Sequence, residues 1–381
     1  VKLLCVGGGS GGHVTPVLAV INQVAKLDAE LSVVFVTDKA FLKQTEGLVA
    51  QSAVPLTIKT VSAGKFRRYM DMALWKQVLR PDIGGKNMVD MFKVAGGVAQ
   101  SIRLLKKFRP DVVFAKGGYV SLPVGYAAHL LKIPLVIHDS DARPGLTNRV
   151  LSRWASAIAT GTPVKNYRYN AEIARYTGVP VKGEFHPYTS EEQAAAKKQH
   201  GHDSSAPLLV VTGGGLGAKD INQAMMSVAQ KFLEAGYHVT HVTGKANFDE
   251  LSKVLPRDPR YTVVPFVYDG IASLYGAADI VVTRASATTL QELAAARKPA
   301  IIVPNSSLGD QIENAKAYAA DGAAVMLRDE ELAENPECLY DAVTKVLGDE
   351  ELKHSLESHI ATYAKPDAAA DVAELIVKAK K

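Results

Sequence analysis

Short apolar runs that end in glycine or small polar residues alternate along the chain with longer segments whose apolar residues recur every three to four positions. Leu3-Leu4-Cys5-Val6 runs into Gly7-Gly8-Gly9-Ser10-Gly11-Gly12, and Leu208-Leu209-Val210-Val211 runs into Thr212-Gly213-Gly214-Gly215-Leu216-Gly217. An unbroken apolar run closed by glycines predicts a parallel strand buried on both faces. Helical spacing follows each: Val14, Val17, Leu18, Ile21 and Val24 in the first case, Ile221, Met225, Val228 and Phe232 in the second. The same strand, glycine turn and helix therefore occur twice, half a chain apart, which implies an internal duplication. Further strands are predicted at 33–36, 112–114, 135–138 and 157–159, and at 238–242, 262–264, 280–283, 300–303 and 324–327. Helical patterns fall between them, as parallel sheets with crossover helices require. Residues 181–207 break the rhythm and read as a polar hinge and short connection, with His200 and His202 solvated in a loop. The tail from Glu350 reads as helical with a break at Pro366, and is expected to cross back to the first half.

A length of 381 residues suits two domains, each large enough for its own core. No apolar run is long enough to span a bilayer. The chain starts directly in a strand, so no secretory signal is expected. Its two cysteines, Cys5 and Cys338, lie far apart with no partner motif, which points to a reducing compartment and away from a disulfide framework or a cysteine zinc site. The net charge of +5 suits an anionic ligand or membrane surface and is too weak to argue for nucleic acid.

Candidate chemistry gathers where strands end. A glycine loop that leads into a helix lets backbone N–H groups and the positive helix end approach an anion. His13 follows the first such loop, where neutral imidazole is favoured and a general base is plausible. Lys116-Gly117-Gly118-Tyr119-Val120-Ser121 repeats the pattern after 112–114. His138-Asp139-Ser140-Asp141 closes the next strand. Those residues suit base orientation or sugar hydroxyls, and equally suit a turn or helix cap. Asp139 and Asp141 have an acid-x-acid spacing, too common in turns to argue for a metal. In the second half, Ser286, Ala287 and Thr288 lead into a helix and suit a phosphate. Glu292 lies one turn further on, where local sequence favours an exposed helical glutamate over a ribose ligand. Asp310, Gln311 and Asn314 mark another polar entry to a helix.

Taken together, Gly7 to His13, Gly117-Gly118-Tyr119-Val120-Ser121 and Gly145-Leu146-Thr147-Asn148-Arg149 resemble the MurG glycosyltransferases over almost the whole chain. The resemblance implies an α/β GT-B fold, two Rossmann-like domains facing each other across a cleft. It implies transfer of N-acetylglucosamine from UDP-N-acetylglucosamine to a polyprenyl-diphosphate-linked acceptor, lipid I, with inversion and with no bound metal or other cofactor. An enzyme of this kind works peripherally at the cytoplasmic face of the bacterial membrane, on an anionic surface. On this reading residues 1–178 form the acceptor and membrane-facing domain, 183–350 the donor domain, and 351–381 the returning tail. Ser10, Gly11, Gly12, Gly118 and Tyr119 are acceptor-binding, and His13, Asp139 and Asp141 catalytic. Lys182, Gly215, Gly217, Phe266, Val267, Ser286, Ala287, Thr288, Glu292 and Gln311 bind donor, a context that reverses the local reading of Glu292. The family commonly has Gly-Gly-Ser-Gln-Gly-Ala where this chain has Gly213 to Ala218, so backbone N–H groups must replace two side chains. Mixed apolar and basic residues from Lys65 to Arg80, among them Arg67, Arg68, Trp75 and Lys76, suit a membrane contact, and equally suit core packing of Leu74, Trp75 and Leu79 with the basic residues solvated. Rivals are a related lipid or natural-product transferase, a non-hydrolysing UDP-sugar epimerase, and an inactive UDP-sugar-binding scaffold.

Overall fold

A computed structural model of the chain describes residues 1–8, 11–50, 52–65, 81–181, 183–214, 217–267 and 270–380. The chain divides into two compact units, Val1–Val181 with Asp367–Lys381, and Lys182–Pro366.

The first unit carries a parallel sheet of β1 (Lys2–Val6), β2 (Ser32–Thr37), β3 (Leu56–Thr60), β4 (Val112–Ala115), β5 (Leu135–Asp139), β6 (Ala157–Thr160) and β7 (Ala174–Tyr176). Their order among the described residues is β3-β2-β1-β4-β5-β6-β7. Its helices are α1 (Gly11–Leu27), α2 (Leu42–Val49), α3 (Pro81–Phe108), α4 (Ser121–Leu130) and α5 (Leu146–Leu151). The central strands β1 and β4 bury apolar side chains on both faces because helices cover both. On one face Leu3, Cys5 and Phe114 meet Val17, Ile21 and Val24 of α1. On the other Leu4, Val113 and Ile137 meet Val124 and Ala128 of α4. The helical spacing read from the sequence is thus the buried stripe of α1. The edge strands β3 and β7 were not expected. Leu56-Thr57-Ile58-Lys59-Thr60 is half-covered and alternates, and β7 has only three residues, so neither forms an apolar run.

The second unit repeats the topology. Its strands are β8 (Leu208–Thr212), β9 (His238–Val242), β10 (Tyr261–Val264), β11 (Ile280–Thr283), β12 (Ala300–Ile302) and β13 (Val325–Met326), all parallel, in the order β10-β9-β8-β11-β12-β13. Around them run α6 (Ser190–Gln199), α7 (Lys219–Glu234), α8 (Phe248–Val254), α9 (Ile271–Ala277), α10 (Ala287–Ala296), α11 (Gly309–Ala320), α12 (Asp329–Glu334), α13 (Glu337–Gly348) and α14 (Glu350–Ala361). Ile221, Met225, Val228 and Phe232 form the buried face of α7. In both units the strand order reverses beside the first strand, between β1 and β4 and between β8 and β11. In open α/β sheets that reversal opens a crevice at the carboxyl ends of the strands.

Two local expectations are corrected. The segment 181–207 is not merely a connection: α6 forms in it, and the Thr189 hydroxyl accepts from the Glu192 N–H while the Glu192 carboxylate accepts from the Thr189 N–H. His202 is not solvated. It is 4% exposed, with Nε2 2.7 Å from the Thr240 hydroxyl and Nδ1 3.3 Å from His238 Nδ1. The tail divides at Pro366. Helix α14 stays with the second unit, and α15 (Ala368–Ala379) joins the first, where Ala369, Val372, Ala373 and Ile376 pack in the core around α1.

Candidate active site

In the first unit, polar groups converge at the carboxyl ends of β1, β2, β4 and β5. Gly117 and Gly118, one residue beyond β4, have φ of +97° and +76°. Side chains resist that left-handed turn, and the carboxamide of Asn148 packs where a Gly117 side chain would lie. The turn sends Tyr119 toward β2, where its hydroxyl donates to Asp38. Asp38 also accepts the Phe41 N–H at 3.0 Å. Burial and this carboxylate together raise the Tyr119 phenol above its ordinary range, so it stays a donor.

Beside Tyr119 lies a cluster that sequence reasoning resolved only in part. The Lys116 ammonium is 2% exposed and donates to the Ser140 hydroxyl. Ser140 Oγ lies 3.2 Å from His138 Nδ1, and His138 Nε2 lies 2.9 Å from the Gly178 carbonyl. Asn148 Nδ2 donates to the His138 carbonyl at 3.0 Å. Asp139 is 3% exposed and accepts from the Tyr169 hydroxyl at 2.6 Å. Tyr169 stacks on Tyr167, whose hydroxyl donates to the Asp141 carbonyl at 2.7 Å. Burial pushes the Asp139 carboxyl up to about 7. The charge of Asp141 adds to that rise, and the bonds from Tyr169 and Asn148 and the charge of Lys116 oppose it. Burial pulls Lys116 down to about 8, against the pull of Asp141 and Asp139. Asp139 is thus the buried carboxyl of the two, and Asp141 is the half-buried one. Gly11, Gly12 and His13 form the first turn of α1. Ser10 and the side chain of His13 lie outside the described residues.

In the second unit, the loops after β8, β10, β11 and β12 bring the predicted donor residues to one end of the sheet. Thr212 Oγ1 accepts the Gly214 N–H at 3.1 Å, and Gly217 leads into α7. Asp220 in the first turn of α7 pairs with Arg284 at 2.7 Å, and Arg284 also donates to the Val303 carbonyl at 3.1 Å. One guanidinium therefore ties together the loops after β8, β11 and β12. Ser286 caps α10 by accepting the Thr289 N–H. Asn314 donates to the Ala285 carbonyl at 3.1 Å, fixing the approach to that helix. Ser286, Ala287, Thr288, Glu292, Phe266, Val267 and Gln311 are all half-buried, open enough for a ligand. The side-chain Oε1 of Gln311 accepts the Asn305 N–H at 3.0 Å, and Lys245 Nζ sits 5.4 Å from the Phe266 ring centre. Lys182 and Gly215 lie outside the described residues. Sequence reasoning gave no role to the side chains of Lys116, Tyr169, Asp220 and Arg284, because a polar side chain near a strand end reads as solvated until its partner's position is known.

The glycosyltransferase family 28 N-terminal domain matches residues 3–160 and the family's C-terminal domain residues 208–372. The chain belongs to glycosyltransferase family 28, and the resemblance to the MurG glycosyltransferases is borne out. It is 32% identical over 384 residues to the UDP-N-acetylglucosamine–N-acetylmuramyl-(pentapeptide) pyrophosphoryl-undecaprenol N-acetylglucosamine transferase of Clostridium kluyveri, covering 100% of this chain and 99% of that one. The protein of the same name from Clostridium botulinum is 33% identical over 336 residues, 87% of each chain. Among solved structures, Acinetobacter baumannii MurG matches with a TM-score of 0.72 at 25% identity, covering 99% of both chains.

Proposed function

We propose that this chain transfers N-acetylglucosamine from UDP-N-acetylglucosamine to lipid I, forming lipid II for peptidoglycan. The full-length similarity to transferases named for that reaction carries the reading. In this reading the donor lies on the second unit, with Phe266 and Val267 along the uracil and Glu292 accepting from the ribose hydroxyls. Gln311 meets the sugar, and the backbone of Gly215, Gly217, Ser286, Ala287 and Thr288, with Lys182, surrounds the diphosphate. The acceptor diphosphate meets Ser10, Gly11, Gly12, Gly118 and Tyr119 on the first unit. The reaction is a single in-line displacement with inversion. The acceptor hydroxyl attacks the anomeric carbon and gives up its proton to His13, with Asp141 orienting it and Asp139 behind. The bond to UDP breaks, and its growing negative charge faces the N-terminal ends of α7 and α10.

The acceptor's polyprenyl tail places the work at a membrane surface, in this reading the cytoplasmic face. No helix among the described residues is long and apolar enough to cross a bilayer. The exposed Met88, Val89, Met91 and Phe92 on α3 support a peripheral contact. Lys65 aside, the basic and aromatic run to Arg80 lies outside the described residues. Incubation with radiolabelled UDP-N-acetylglucosamine and a short-chain lipid I analogue tests the proposal. Label should move to the acceptor with release of one UDP. Label appearing in an epimeric UDP-sugar, or UDP binding without turnover, would overturn it.

A further inference from the structure

We propose that Lys116 is a positioning residue of the acceptor side, the buried counter-ion that keeps the Asp139 and Asp141 carboxylates charged beside it. The inference rests on the acceptor-side reading above and adds a residue to it. A lysine that only filled space here would be poorly chosen, since methionine has similar volume and brings no charge to desolvate. The Lys116 ammonium has one hydrogen-bond acceptor among the described residues, the Ser140 hydroxyl. That bond belongs to a chain that runs from Lys116 through Ser140 and His138 to Gly178. The Gly178 carbonyl can only accept, so His138 Nε2 carries a proton and donates to it. Ser140 Oγ lies 3.2 Å from Nδ1 of the same ring. The hydroxyl oxygen accepts in turn from Lys116, so the chain consumes one ammonium N–H and none of its charge.

The groups around Lys116 decide what balances that charge. From β5 and the turn after it come His138, Asp139 and Asp141. From α5 come Asn148, neutral, and Arg149, whose field acts on Tyr169. Tyr167 and Tyr169 follow β6 as un-ionised phenols. Asp38, beyond Tyr119, is taken up by that phenol and the Phe41 N–H. The carboxylates whose field reaches Lys116 are Asp141 and Asp139. Burial pulls Lys116 down to about 8 and pushes Asp139 up to about 7, so both groups change charge close to neutral pH, each opposed by the field of the other. Removing the ammonium should leave Asp139 protonated and silent at the pH where the intact cluster is ionised.

The full-length protein, labelled with ¹³C at aspartate Cγ, can be titrated by NMR, with Asp139→Asn to assign the signal. In Lys116→Met the Asp139 midpoint should rise by about one pH unit or more, as expected for loss of a nearby opposite charge. Ser140→Ala removes the tether and keeps the charge, so it should move the midpoint less and in the same direction; it also covers a methionine variant that folds poorly. The acid limb of kcat/KM should shift upward in step in Lys116→Met, with the donor KM unchanged and the limb restored by Lys116→Arg. A midpoint that stays in place in both variants overturns the proposal. A midpoint that moves in a protein with no transferase activity supports the counter-ion and sinks the transferase reading alone.

Discussion

The donor loop offers a prediction with an internal control. Gly214 and Gly217 flank the turn between β8 and α7, and both have left-handed backbones, with φ of +72° and +80°. Forcing alanine into that region costs about 1–2 kcal/mol at either position. The surroundings differ. Among the described residues a Cβ on Gly214 meets nothing within 4 Å, whereas one on Gly217 would lie 2.5 Å from the Thr243 carbonyl oxygen. Ordinary contact begins at 3.4 Å, so backbone must yield by about 0.9 Å. That oxygen also accepts from Asn222 Nδ2 at 3.0 Å and Asn247 Nδ2 at 3.1 Å. Losing both amide bonds would cost a further ~1–3 kcal/mol at a net ~0.5–1.5 each. Gly217→Ala should therefore destabilise by roughly 2–5 kcal/mol and Gly214→Ala by roughly 1–2. Urea unfolding followed by fluorescence measures the stabilities, and calorimetric UDP titration measures the effect on binding. The larger loss of UDP affinity should accompany Gly217→Ala, because Asn222 links Thr243 to α7. Equal destabilisation by the two variants would refute the reasoning.

Other expectations follow from the same geometry. Glu292→Ala should lower kcat/KM for the donor by the equivalent of about 1.5–3 kcal/mol, the worth of a charge-assisted hydrogen bond; steady-state kinetics varying UDP-N-acetylglucosamine would show it, and an unchanged value would remove Glu292 from the ribose. Asp139 has its carboxyl raised from 3.8 to about 7, so the folded protein holds a proton there that the unfolded chain has lost. Its stabilising contribution is complete below pH 3.8 and declines as pH rises through about 7. Asp139→Asn should remove that decline relative to the parent protein in urea midpoints measured from pH 4 to 8, and a parallel pair of curves would contradict it. Replacing Met91 and Phe92, 54% and 69% exposed, by serine should weaken binding to anionic vesicles roughly tenfold. Cosedimentation reads the binding, melting temperature should not fall, and unchanged binding would place the membrane contact elsewhere.

The buried parallel strands were the most legible part of the sequence, since an apolar run flanked by glycine has few other uses. Strands β9 and β11 appear at the predicted residues, and β1, β2, β4, β5, β6, β8, β10, β12 and β13 within one or two positions. The duplication read from two glycine loops reappears as the shared order of the strands from β1 to β6 and from β8 to β13. What escaped depends on contacts remote in sequence. Thr57 and Lys59 make β3 look like a loop until β2 supplies its ladder. His241 lies in a strand read from the sequence, but its partners, Asn222 and Tyr261 at 2.9 and 3.0 Å from its two nitrogens, could not be. Glycines and capping residues announced where ligands could approach. The polar frame behind them, Lys116 bonded to Ser140 and Arg284 paired with Asp220, joins residues 24 and 64 positions apart and has no local signature.

The return of α15 to the first unit sets an order of assembly. Ala369, Val372, Ala373 and Ile376 complete a core whose other members, such as Val17 and Phe114, leave the ribosome long before them. Between Val181 and Asp367 the ribosome must make the entire second unit. At about 5–20 residues per second, that is roughly 10–40 s during which the apolar face around α1 waits for its cover. The second unit, continuous in sequence, is under no such delay. The nascent first unit is therefore the one exposed to chaperones, proteases and self-association, and α15 is the lock that ends the exposure.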